Sequence, residues 1–264
     1  MAAVLNTNMA SLYAQKNLST AQTTLSDSVR RLSSGTRINS AKDDAAGYGI
    51  AESLKGTRNI VNQNILNAQN GISWSQTAEG ALDVVGKILQ RALTLATQAQ
   101  DGSLNQNQLD SIDDELEALE IEIDNIAART KFQGGSGVDS VFTTATLDVE
   151  TGSEAGDATV TLTATIVTGG GSLVGATTGA IEDLIADNAT NRGVLGAGIN
   201  SLQYAIDNMQ TLSNNLADGI SRIVDTDYAA ETAQLTRAQI LQQAATSMLA
   251  QANQMPNVIL TLLK

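Results

Sequence analysis

The chain has 264 residues, a formal net charge of −13, 42% hydrophobic residues and only 3% aromatics. It contains no His and no Cys, which rules out disulfides and thiolate chemistry, removes the commonest metal ligand and general base, and so disfavours most enzyme classes. The acidic balance argues against nucleic acid and anionic membranes as partners, because both call for a basic footprint.

With one Trp and two Phe among many Ala, Leu and Ile, the apolar residues suit close helix-on-helix packing better than an aromatic-rich globular core. The opening stretch "MAAVLNTNMASLYAQKNL" has neither a basic n-region nor a continuous apolar run, so it does not read as a cleavable secretory signal. No stretch approaches the ~20 apolar residues that span a bilayer.

Leu18, Leu25, Val29 and Leu32, with Ala21 between them, mark a first helix. Its apolar seam extends less regularly back through Leu12, Met9 and Leu5, and Gly35 reads as its C-terminal stop. In "RLSSGTRINSAKDDAAG" the chain restarts, since Ser40 followed three residues later by Asp43 matches a capping box. Gly35, Ser40 and Asp43 therefore define a spoke between two helical blocks.

A second helix carries Ile50, Leu54, Val61, Ile65, Ala68 and Ile72 and runs on through Leu82, Val85, Leu89, Ala92 and Leu95. It is weakened at Gly80 and Gly86 and ends near Asp101-Gly102. Leu109, Ile112, Leu116, Leu119, Ile123 and Ile126 then repeat steps of three and four with acids in between, the pattern of an amphipathic helix with an acidic outer face.

After Phe132, "FQGGSG" breaks the helix, and "SVFTTATLDVETGSEAGDATVTLTATIV" switches to β-branched residues alternating with period two around a turn. One β-hairpin is expected here, ended by Gly169 to Gly171. Helical spacing resumes at Ile181 and Leu184, weakens between Gly193 and Gly198, and continues through Leu202, Met209 and Ile223.

The last stretch, "ILQQAATSMLAQANQMPNVILTLLK", places Leu241, Ala245, Met248, Ala252, Met255, Ile259 and Leu262 at alternating steps of four and three. That is a coiled-coil seam with no local partner. The opening seam of Leu5, Leu12, Leu18, Leu25, Val29 and Leu32 is its natural mate within the chain. Pro256 lacks the N–H owed to the carbonyl of Ala252, so the final helix should bend there.

The fold class expected is mainly α: long antiparallel helices forming a coiled coil from both termini, with a small β-hairpin insert. Residues 1–43 plus 224–264 form an inner terminal-helix domain, and residues 44–223 an outer helical domain with the insert at about 133–171.

Asp43-Asp44 and Asp113-Asp114-Glu115 are the tempting carboxylate clusters, but neighbours on a helix point apart and do not face one cleft as a paired acid and base must. The runs at Gly134-Gly135 and Gly169 to Gly171 lack the Lys and the strand-to-helix setting of a phosphate loop. Asn17-Leu18-Ser19 and Asn188-Ala189-Thr190 match the N-glycosylation triplet, which is common by chance. No cofactor or metal is implied.

Several stretches carry a family resemblance: "RLSSGTRINSAKDDAAG" (Arg31 to Gly47), "NGIS" (Asn70 to Ser73), "TAEGAL" (Thr77 to Leu82), "SRIVDTDYAAE" (Ser221 to Glu231) and "RAQILQQAATSMLAQANQMPNVILTLL" (Arg237 to Leu263). Together they resemble bacterial flagellin, over roughly the first half and the last third of the chain. The resemblance implies a filament subunit, exported unfolded by the flagellar type III route without a cleaved signal and folding at the filament tip. It also implies an export chaperone, cap and hook–filament junction proteins as partners, besides other copies of the chain. The short middle implies a minimal form without extra outer domains.

The hook–filament junction protein shares the terminal-helix plan, but the full "RLSSG…INSAKDDAAG" argues against it. A secreted helical protein that never polymerises is the other alternative. Flagellins sensed by an animal Toll-like receptor carry a patch resembling "LQRALTLATQ". The positions carried over are Arg91, Leu95 and Gln98, with Glu115 from the next helix. The chain departs from that pattern at Leu93, where an Arg is usual, and at Thr94, where a Glu is usual. Ordering the terminal helices costs more conformational entropy than one apolar seam returns, so the ends should fold on assembly.

Overall fold

The computed structural model describes residues 8–134, 137–142, 146–153, 158–166 and 173–262, with the side chains of 133–134, 137–140 and 255–262 outside that description. Among these residues five helices and four short strands follow in order: α1 (Met9–Ser34), α2 (Ala45–Ala99), α3 (Gln106–Arg129), β1 (Lys131–Gly134), β2 (Gly137–Ser140), β3 (Thr146–Glu150), β4 (Thr159–Thr163), α4 (Thr178–Val224) and α5 (Tyr228–Leu262). The chain divides into two compact units, Met1–Lys55 with Leu216–Lys264, and Gly56–Asn215.

In the first unit α1 and α5 lie antiparallel, as cross-contacts between their opposite ends require. The Nδ2 of Asn8 donates to the carbonyl of Ala252 at 2.7 Å, and Arg31 pairs with Glu231 at 3.7 Å. The buried stripe consists of Ala14, Ala21 and Ser28 against Ala238, Ala245 and Ala252. Each set repeats every seven residues, the period that keeps one face of a helix on its partner. Leu18, Leu25 and Leu32 flank it half-buried, as do Leu235 and Leu249. Small residues at the contact let the helix axes approach closely.

Asn8 caps α1 by accepting from the Ser11 N–H at 3.1 Å. At the other end Gly35 adopts φ 72 and donates to the carbonyl of Arg31. That left-handed conformation suits Gly because an added Cβ would crowd the backbone. α5 stays helical through Pro256 to Leu262, so the proline does not end the helix.

The second unit is organised by heptads. On α2, Val61, Ala68, Leu82, Leu89 and Ala96 are buried at multiples of seven, interleaved with Ala78, Val85 and Ala92. On α4 the buried set is Ile181, Asn188, Leu195, Leu202 and Met209, again in steps of seven. α3 buries Ile112, Leu116 and Ile123 and starts from a complete capping box between Asn105 and Gln108. Its acidic residues occupy the remaining positions, as the amphipathic pattern requires.

Two expectations from the sequence are corrected here. The insert holds two antiparallel hairpins instead of one, β1–β2 and β3–β4. Phe132, Gln133 and Gly134 of "FQGGSG" belong to β1, because the pairing of Phe132 with Asp139 and of Gln133 with Val138 uses backbone groups that composition does not reveal. As their spacing predicts, the helices run on through Gly80, Gly86 and the stretch from Gly193 to Gly198. Burial of the heptad stripe outweighs the modest propensity cost of a helical Gly. The turn residues 154–157 and the glycines 169–171 lie outside the described residues.

Two glycines have a packing role. The β3–β4 hairpin seats Val149 and Leu162, both buried, against α2 and α4. A Cβ at Gly71 would sit 2.8 Å from Val149 Cγ2, and one at Gly198 would sit 2.6 Å from Leu162 Cδ2. Asn64 anchors the hairpin near its turn by donating to the carbonyl of Gly152 at 3.0 Å.

Candidate assembly surface

The α1–α5 pair has a second apolar face beside its buried stripe. Leu241 and Met248 are 53% and 60% exposed, and on α1 Tyr13 is 63% exposed. Together with Ala10, Ala14 and Arg237 they line a groove of ≈ 600 Å³ running between the two helices. The single seam read from the sequence is therefore two. Ala245 and Ala252 are buried against α1, whereas Leu241 and Met248 stay exposed along the groove that α1 and α5 line together.

The opening helix divides in a similar way. Leu18, Leu25 and Leu32 border the stripe, while Leu12 and Val29 are exposed. From Leu12 to Leu18 is six residues, roughly one and two-thirds turns, so the two leucines face different directions. Leu5 lies outside the described residues, as do the side chains of Met255, Ile259 and Leu262.

The spoke is built differently from the sequence expectation. α2 begins at Ala45, and its cap is Asp44, whose Oδ1 accepts from the N–H groups of Ala46 and Gly47 at 3.1 and 3.0 Å. Asp43 instead closes the preceding turn. Its Oδ2 accepts from the backbone of Asn39 and Ser40 and from the Ser40 hydroxyl, at 3.0 to 3.1 Å. Ser40 and Asp43 do pair, but one turn too early for a helix cap, because Asp44 sits directly against the first free helical donors.

The Asn39 N–H is the first cause that holds the Asp43 carboxyl below the usual carboxylate range, with Ser40 and Arg30 adding to it. Arg30 bridges Asp27 and Asp43 at 3.2 Å each. Opposite this turn, Thr36 and Asp225 form an isolated antiparallel bridge. The Arg37 guanidinium donates to the carbonyl of Ile223 at 2.5 Å, and the Arg37 N–H to that of Val224 at 2.6 Å. Asp227 then caps α5 by accepting from Ala229 and Ala230. This cross-chain bridge was not legible in advance, although Asp225 and Asp227 between two helical repeats were a signal of a capped restart.

In the second unit Arg91 and Glu115 meet as an exposed ion pair, 2.7 Å between Nη2 and Oε1. Gln98 is exposed, but Leu95 is 2% exposed and belongs to the core. It is buried beside Ala92 and Ala96 of the stripe and so cannot itself present a contact surface. Asn188 is also buried, donating to the carbonyl of Leu82 at 3.1 Å, which leaves no access for a glycan. Among the described residues no cluster of three or more acidic side chains is placed to hold a metal ion, and no helix is long and apolar enough to cross a membrane.

Comparison with known proteins places these features in context. The profile of the bacterial flagellin N-terminal helical region matches residues 5–142, and that of the C-terminal helical region matches residues 178–263. The chain is 35% identical to the flagellin of Halalkalibacterium halodurans, over 99% of this chain and all of that protein. It is 34% identical to the flagellin of Bacillus subtilis, over 98% of this chain and 99% of that one. Polar flagellin F of Vibrio parahaemolyticus is 31% identical across the full length of both chains.

Proposed function

The chain belongs to the bacterial flagellin family and is a structural subunit, not an enzyme, that self-assembles into the extracellular flagellar filament; from that premise we propose that the groove face of α1 and α5 is where neighbouring subunits pack. The observation that carries this is the exposure of Leu241 and Met248 beside Tyr13, apolar side chains that the chain's own fold leaves unpartnered. Large exposed apolar patches mark interaction sites.

Leu241→Asp tests the reading by placing a carboxylate where a neighbour would bury it, an arrangement that is strongly unfavourable without a partner charge. Seeded growth of the purified variant should fail while circular dichroism stays that of the wild type. Filaments growing at the normal rate would remove this face from the assembly contacts.

The proposal extends to organisation and route. Residues 1–43 with 224–264 act as the inner assembly domain, and residues 44–223 as the outer one. Gly35, Ser40 and Asp43 form part of the spoke between the helical blocks. The subunit leaves the cell unfolded by the flagellar type III route, escorted by an export chaperone and received by the junction and cap proteins. Arg91, Gln98 and Glu115 form the exposed part of the surface offered to an animal Toll-like receptor. The Arg91–Glu115 pair keeps both side chains at the surface, which supports that assignment.

A further inference from the structure

The chain has no Cys, so its five Met supply all of its side-chain sulfur. Their environments are unequal. Met209 is 2% exposed in the core of the second unit, whereas Met9 and Met248 are 50% and 60% exposed on α1 and α5. Met248 also lines the α1–α5 groove beside Tyr13 and Leu241.

We propose that the Met248 thioether is an oxidative modification site at which hydrogen peroxide converts a growth-competent subunit into one that cannot join the filament. This rests on the reading that the groove face accepts neighbouring subunits. In the reaction a sulfur lone pair attacks one peroxide oxygen, the S–O bond forms as the O–O bond breaks, and the departing hydroxide takes the proton from the oxygen now on sulfur, leaving sulfoxide and water. Sulfur is oxidised by two electrons and the peroxide is reduced.

The product replaces a soft apolar group with a polar, chiral sulfoxide. Its oxygen is a strong acceptor set among the apolar side chains of Ala10, Ala14 and Leu241, with the Tyr13 hydroxyl and the Asn17 amide as donors in the same groove. A neighbour closing over it would bury a polar group where the thioether was apolar, and would have to desolvate it or draw Tyr13 or Asn17 out of its packing, either of which weakens the contact. Before assembly the sulfur is open to solvent; after assembly the neighbour covers it. The modification therefore acts on the free subunit and spares the finished filament. Methionine sulfoxide reductase, with a dithiol as reductant, returns the thioether.

The test uses the purified full chain and hydrogen peroxide, with sulfoxide at each Met quantified by peptide mass spectrometry. Met248 should oxidise well before Met209, and seeded growth should fall roughly tenfold, the size of effect expected from burying one polar group in place of an apolar one. Reductase treatment should restore it. Met248→Leu, close in volume to the wild type, should show no loss of growth on the same exposure when compared with its own unexposed rate. Peroxide applied to preformed filaments should oxidise Met248 roughly tenfold more slowly than in free subunits, because packed interfaces exclude solvent.

Undiminished growth of subunits fully oxidised at Met248 would overturn the proposal. So would equal Met248 oxidation rates in filament and free subunit, or a Met248→Leu chain that loses growth on exposure as the wild type does. Normal growth of Leu241→Asp would instead overturn the assembly-face reading, so the two failures are distinguishable.

Discussion

The backbone N–H of Thr226 donates to the carbonyl of Gly35 at 3.0 Å. One residue to the side, Thr36 pairs with Asp225. The segment that leaves α1 and the segment that enters α5 are thus tied together by main-chain bonds, which no side-chain substitution removes directly. Gly35 is the weak point of this junction, because its conformation and its space are both restricted.

Replacing Gly35 with Ala should destabilise the first unit by about 1–2 kcal/mol, the usual cost of a left-handed L-residue. The added Cβ would also lie 3.1 Å from Tyr228 Oη. Gly35→Asn should lose less, since Asn tolerates that region better. Denaturant unfolding of the two variants checks the order, and an Ala variant as stable as the wild type would contradict it.

Asp43 predicts a pH dependence. Its folded-state pKa lies below the ordinary value of 3.8, held there first by the Asn39 N–H and further by Ser40 and Arg30. The charged groups around it are Arg30 and, through Arg30, Asp27. A depressed carboxylate contributes stability that is fully present above the unfolded-state pKa and is lost as the pH falls through the folded-state pKa. Asp43→Asn should therefore be less stable at neutral pH and flatter in its acid response. Identical acid unfolding profiles for the two chains would show that the turn contributes nothing.

Glycines in the second unit should respond to Ala with opposite signs. At Gly71 and Gly198 the new Cβ meets Val149 Cγ2 and Leu162 Cδ2 at 2.8 and 2.6 Å, so both substitutions should destabilise the seating of the β3–β4 hairpin. At Gly80 and Gly193 nothing lies within 4 Å. There the better helix former should stabilise by about 0.5–1 kcal/mol. Thermal unfolding of the four variants suffices, and stabilisation by Gly198→Ala would refute the packing argument.

Receptor activation offers a further check. Arg91→Ala should lower activation of reporter cells by free subunit, since interface energy concentrates in a few anchors, Arg prominent among them. The absence of the usual charges at Leu93 and Thr94 should leave the wild type a weak activator. Activation unchanged by Arg91→Ala would take that residue out of the site.

Limited proteolysis should cut the free subunit first within α1 and α5 and spare the second unit, whose heptad core is deeper. The same sites should be protected in filaments. Equal resistance of α1 and α5 in both states would mean that the terminal helices need no neighbours.

The sequence by itself determined the helices, their phase and the class of protein. Alternating steps of three and four fix where a side chain sits around its own axis, so Val61, Ala68, Leu82 and Leu89 on α2, Ile112, Leu116 and Ile123 on α3 and Ile181, Leu202 and Met209 on α4 were readable, and Gly35 was recognisable as a helix stop. Ile50, read as part of the α2 stripe, is exposed, and the buried Asn188 and Leu195 carried no such signal. What periodicity does not carry is the direction from which a partner arrives. Leu241 and Ala245 belong to one apolar band in the sequence, and only the approach of α1 buries the alanine and leaves the leucine exposed. Leu95 was equally ambiguous until the packed heptads of the second unit placed it in the core. The same limit explains the cap and the first hairpin: Asp43 and Asp44 are chemically identical, and the Phe132–Asp139 pairing rests on backbone hydrogen bonds. Both were decided by where the folded chain put its free donors, a property of the tertiary structure that no local pattern of side chains records.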